Sequence, residues 1–272
     1  MKNKSAILNI FLGLFIATAF SSCEEIIDVD LKTNEPKIVI EANVTNENVK
    51  QVVKITETVP FKADNVLKNL SGAVVSVQEE GGAFYTFSET KPGNYESSAA
   101  FAGKEGKTYV LTVEAGGKTY TSRSIMPKKV GLDSLSITEL KVFDETAKFL
   151  KLHYQDPEEK GNSYRFVVKN NGVLYKGFFV DNDKFNNGKY VHNTVYVDEP
   201  KIEEGNEIEV EFQNITPEIY KYFYSLAQIT GAGGPPVAAS NPVSNIKNGA
   251  LGYFSTHTTQ KTVFQVTKAK QD

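Results

Sequence analysis

One thiol, three imidazoles and a few clustered carboxylates are what this chain offers for chemistry. The thiol is Cys23, and its setting is specific. Lys2 and Lys4 come first, an apolar run extends from Ala6 to Phe20, and the small Ser21 and Ser22 stand directly before the cysteine. These are the parts of a secretory signal ending at a cleavage point. At about fifteen residues the run falls short of the ~20 that a membrane-spanning helix needs. A cut before Cys23 makes it the first residue of the remaining chain and places it for lipid attachment. With one cysteine in the sequence no intramolecular disulfide can form, so stability rests on packing and hydrogen bonds.

The other reactive side chains carry weaker signals. Glu207, Glu209 and Glu211 alternate with Ile208, Val210 and Phe212, a pattern that could line up ligands for a divalent cation. The solvated face of a strand gives the same pattern and is the favoured reading. Asp181-Asn182-Asp183-Lys184-Phe185-Asn186-Asn187-Gly188 begins like a calcium loop, but Phe185 occupies a ligand position and the downstream bidentate glutamate is missing. It reads as an Asn/Asp-rich loop. His153, His192 and His257 show none of the close spacings of zinc sites. There is no Gly-x-Ser-x-Gly elbow, and Gly231-Ala232-Gly233-Gly234-Pro235 lacks the lysine of a phosphate loop. No metal, cofactor or catalytic residue is assigned. Paired carboxylates for glycan hydrolysis are brought together by folding rather than by spacing, so a surface hydrolase acting on glycans or peptides stands as an alternative.

Composition narrows the classes further. Removing the first 22 residues takes away two lysines and no acid, moving the net charge from −3 to −5. That balance argues against a nucleic-acid partner, which needs a basic footprint. An apolar content of 40% supports a real core.

The elements that must position these groups are mostly strands. In the first half Lys37 to Val44, Gln51 to Val59, Ala73 to Gln78, Phe84 to Phe87 and Thr108 to Glu114 carry β-type composition. Gly81-Gly82, Pro92-Gly93-Asn94 and Gly116-Gly117 supply turns between them. The second half offers Leu132 to Leu140, Phe149 to Tyr154, Tyr164 to Lys169, Val173 to Val180, Tyr190 to Val197 and Glu207 to Phe212. Asn170-Asn171-Gly172 is a strong hairpin turn. One helix is expected over 217–229, with Thr216 as cap, Pro217 in the first turn and Gly231 as stop. Ile219, Tyr222, Phe223 and Leu226 form its apolar stripe. The expected fold is mainly β. An immunoglobulin- or transthyretin-like sandwich (36–127) is followed by a fibronectin-like sandwich with one packed helix (128–272), after a signal peptide (1–22) and an acidic tether (23–35). The Gly/Pro-rich stretch Gly231 to Asn248 is the expected contact loop.

Cys23 at its cut site resembles the acylated cysteine of bacterial lipoproteins, with Phe20 where leucine is usual. The acids that follow, Glu24, Glu25, Asp28 and Asp30, resemble the export tag that carries Bacteroidota lipoproteins to the cell surface. Further segments extend the likeness: Glu35-Pro36-Lys37-Ile38-Val39-Ile40-Glu41, Gly93-Asn94-Tyr95, Leu132-Asp133-Ser134-Leu135, and Ser244-Asn245-Ile246 leading to Gly249-Ala250-Leu251-Gly252-Tyr253-Phe254. Together they are similar to a Bacteroidota outer-membrane lipoprotein family of unknown function, usually encoded beside TonB-dependent transporters. The resemblance implies an outer-membrane, surface-facing location, a membrane partner through the lipid, and a TonB-dependent transporter as neighbour. No ligand residues carry over, and a glycan or a peptide is the expected kind of ligand, considered apart from the resemblance. Gly249 and Gly252 are expected to form a tight turn docking Tyr253 and Phe254. An accessory binding protein is the leading expectation, beside a hydrolase and an adhesion or envelope-structural module.

Overall fold

The computed structural model describes residues 36–59, 68–142, 145–197, 199–230 and 241–267. Cys23, Glu24, Glu25, Asp28 and Asp30 lie outside the described residues, as does the 231–240 part of the expected contact loop. The first half supplies β1 (Ile38–Thr45), β2 (Val52–Glu57), β3 (Lys68–Asn69), β4 (Val74–Glu79), β5 (Phe84–Lys91), β6 (Asn94–Ser97), β7 (Thr108–Ala115) and β8 (Lys118–Ile125). The second half continues with β9 (Ser134–Val142), β10 (Glu145–Gln155), β11 (Ser163–Asn170), β12 (Val173–Leu174), β13 (Phe179–Asn182), β14 (Tyr190–Tyr196) and β15 (Glu207–Ile215). Helix α1 (Pro217–Ile229) and β16 (Leu251–Gln265) complete the described elements.

The protein is mainly β, with two sheets. The larger runs β12-β11-β15-β16-β1-β2-β6-β5-β4-β7-β8, with β13 also on β11 and β3 on β2; the smaller is β14-β10-β9. Strand β16 joins the two halves of the sequence. It lies parallel to β1, with Glu41 opposite Tyr253, and antiparallel to β15, with Phe212 opposite Gln260. Its residues from Gly252 to Thr259 are buried without alternation because both of its faces are covered.

Three cores follow from this layout. Ile40, Ile55, Val77, Tyr109 and Leu111 pack with Ile246, Ala250 and Phe254 from the far end of the chain. Leu150, Leu152 and Tyr154 of the small sheet meet Tyr164, Phe166 and Phe212 of the large one. The Tyr164 and Phe166 rings stack on Phe212 at 5.4 and 5.5 Å. Ile219, Tyr222 and Phe223 of α1 close the third core against Ile215 and Tyr253.

Three local expectations need correction. Gly252 is a strand residue, not part of a turn; it lies against β1 so closely that a Cβ would come within 2.0 Å of the Ile40 carbonyl oxygen. The turn is made by Asn248 and Gly249, both at positive φ. Val173 to Val180 is two strands rather than one, since the register on β11 shifts between Lys169↔Leu174 and Phe166↔Phe179 and Lys176 and Gly177 leave the ladder. Thr216 occupies the helix N-cap position, but its side chain makes no capping hydrogen bond.

Candidate functional site

The face of β11, β15 and β16 that carries α1 holds charged and polar side chains at alternate positions. Arg165 on β11 stands opposite Gln213 on β15, and Gln213 opposite Thr259 on β16. The Arg165 guanidinium lies 3.9 Å from the centre of the Phe223 ring and donates to Gln213 Oε1 at 3.1 Å. Gln213 Nε2 and Thr259 Oγ1 in turn donate to Glu211 Oε1 at 2.8 and 3.0 Å. Burial raises the Glu211 carboxyl, but these two hydrogen bonds and the nearby Lys261 outweigh it and hold the group below the usual carboxylate range. His257, 2% exposed, pairs its Nδ1 with Ser255 Oγ at 3.0 Å. Burial pushes it down to about 4, so it is neutral at physiological pH. A buried neutral imidazole beside a committed carboxylate cannot meet a solvent-borne substrate; charge-assisted hydrogen bonds join β11, β15 and β16, and the Arg165–Phe223 contact ties the helix to them.

The acids of the alternating strand each have their own partner. Glu209 accepts from Lys169 Nζ at 2.7 Å, Glu207 from Gln265 Nε2 at 2.9 Å, and Glu211 is held as above. The Asp181 to Gly188 loop is organised by hydrogen bonds in the same way. Asp183 Oδ2 accepts from the Gly161 and Asn162 amides, and Asp156 accepts from the Tyr164 hydroxyl and the Gly188 amide. Asp181 Oδ2 accepts from Tyr154 at 3.1 Å and Asn193 at 2.6 Å. Burial raises the pKa of both phenols, so they stay protonated as donors.

The surface suited to a partner lies at the end of the strand order. The Asn171-Gly172 turn, with φ of 49° and 76°, folds β12 back on β11. Beyond it Val173 and Leu174 are 57% and 54% exposed. They line a groove of about 740 Å³ with Tyr175, Lys176, Gly177, Glu199, Pro200 and Thr230, open to solvent on one side. β12 ends the sheet among the described residues, which leaves a short strand edge beside an apolar floor. Sequence reading did not find this groove. Its floor comes from segments far apart in the chain, and only the Asn-Gly hairpin pointed towards it. Thr230 lines it and immediately precedes residues 231–240 of the expected contact loop.

These features define a β-rich protein with a polar structural network under its helix and an open apolar groove at a sheet edge. The chain belongs to a family built on a domain of unknown function, DUF4249, which matches residues 24–262. No curated protein matches it. Among solved structures it is similar to the BSP domain of a biofilm-associated protein, at 12% identity and a TM-score of 0.25. That match covers 87% of this chain and 30% of the other. It is also similar to a chain of a cytokine receptor complex, at 9% identity and a TM-score of 0.26, covering 86% of this chain and 98% of the other.

Proposed function

We propose that this protein is a lipid-anchored outer-membrane surface protein that binds a TonB-dependent transporter or its cargo as an accessory to uptake. One observation carries the reading: Cys23 follows an apolar run of signal-peptide length and precedes Glu24, Glu25, Asp28 and Asp30. The lipid on Cys23 tethers the chain, the acids direct it outward, and two sandwich-like halves act as the rigid binding scaffold. The groove at β12 supports the binding part. An extended segment of the transporter would add to the strand edge through its main chain while apolar side chains cover Val173 and Leu174. A glycan or peptide hydrolase and an envelope-structural module are the competing readings. The first needs a reactive carboxylate pair, whereas Glu207, Glu209 and Glu211 are each bound to separate partners.

The anchor is tested by fractionating cells that express the wild type or Cys23→Ala. The wild type should sediment with outer membranes and be shaved from intact cells by added protease. Cys23→Ala should move to the soluble fraction; its continued sedimentation would remove the anchor from the account.

A further inference from the structure

His153 and His192 are distant in sequence but face each other across the β10–β14 ladder. Both lie on the outer face of the three-stranded sheet, His192 exposed and His153 half-buried. Their Nδ1 atoms stand 2.6 Å apart, with the rings crossing at 73°. Two N–H groups cannot share that contact, so at least one nitrogen presents a lone pair. On its far side His153 Nε2 lies 2.7 Å from Ser136 Oγ on β9. When Nε2–H donates to that hydroxyl, the His153 Nδ1 lone pair is aimed at His192. An outer hydrogen bond of this kind fixes the tautomer and orientation of metal-ligating imidazoles. The Tyr190 ring stands edge-on to His192 at 5.1 Å and confines that side chain from the other flank.

We propose that His153 and His192 form a cross-strand, two-imidazole site for a divalent transition-metal ion. Each ring contributes Nδ1. Imidazole nitrogen selects copper, nickel and zinc over calcium and magnesium. The described residues contain no group of three or more His, Cys, Asp and Glu side chains placed to hold an ion, so the remaining positions fall to water. The protons balance: the ion sits to one side of the line between the two Nδ1 atoms and takes a lone pair from each, and the proton they shared moves to His192 Nε2. Two nitrogens bound at ~2.0–2.1 Å to one ion stand ~3 Å apart. The rings must therefore separate by a few tenths of an ångström, which the exposed His192 supplies by rotation. Local spacing rules cannot detect such a site, because its two ligands meet only through strand register.

The test uses the full-length chain, purified in detergent without a histidine tag, titrated with Cu²⁺ by calorimetry and followed by electron paramagnetic resonance. One ion per chain is expected, with hyperfine structure from two imidazole nitrogens. His192→Ala should abolish that signal, and Ser136→Ala should weaken binding ~10-fold through loss of the outer hydrogen bond. His192 is exposed, so its variant should keep the wild-type urea transition, and that measurement accompanies the titration. Absence of binding by the wild type, equal binding by His192→Ala, or a copper spectrum without two imidazoles would overturn the site.

Discussion

His257 is neutral because burial outweighs the attraction of Glu211, while Arg165 opposes its protonation further. This ties stability to pH. The unfolded imidazole titrates near 6.5, the folded one at about 4. As pH falls from ~6.5 to ~4 the unfolded chain therefore takes up a proton that the folded chain refuses. His257 leaves stability intact above that window and lowers it by ~3 kcal/mol across it, at about 1.4 kcal/mol per unit. Glu211, with its lowered carboxyl, acts in the next window: its contribution is present above the unfolded value and is lost as pH falls further. Urea midpoints of the wild type should drop between pH 7 and pH 4.5, and His257→Gln should flatten that drop. Equal slopes in the two proteins would contradict the assignment.

At the scale of elements, β16 determines how the two halves meet, and Gly252 is its most exposed point of failure. It combines a φ of 91° with a Cβ position 2.0 Å from the Ile40 oxygen. Gly252→Ala should destabilise the fold by about 3 kcal/mol or more, through both backbone strain and loss of the β1–β16 pairing. A urea midpoint equal to the wild type would refute that. The same strand marks the limit of what the sequence reveals. Strands with one apolar face, such as β7 and β11, were legible because Tyr109, Leu111 and Val113, or Phe166 and Val168, recur every second residue. Buried on both faces, β16 shows no period. β8 was equally hidden, because its inward Ser122 and Ser124 are buried by hydrogen bonds to the Asn245 carbonyl and Thr256 instead of by apolar contact. The helix was legible to its ends, since Pro217 and the Ile219, Tyr222, Phe223 stripe are local signals. Neither the groove nor the His153–His192 pair is local, and so neither could be read from spacing.

For the whole molecule, residues from Pro36 onward form one compact β unit with an open groove at β12, and the lipid proposed on Cys23 would tether it. At net −3 the chain has no excess of basic residues to form an electrostatic footprint for nucleic acid. The groove supplies apolar area and a strand edge, the two things an extended polypeptide needs for docking. Leu174→Asp puts a charge on its exposed floor without disturbing a core. It should therefore weaken partner binding and leave the urea transition where it was. The most direct test is affinity isolation of the natively expressed, tagged protein from gently solubilised outer membranes, with mass spectrometry of the co-purifying chains and Leu174→Asp in parallel. Stoichiometric recovery of a TonB-dependent transporter is expected with the wild type, and its loss with Leu174→Asp. Recovery of the protein alone in both would contradict the proposed accessory role.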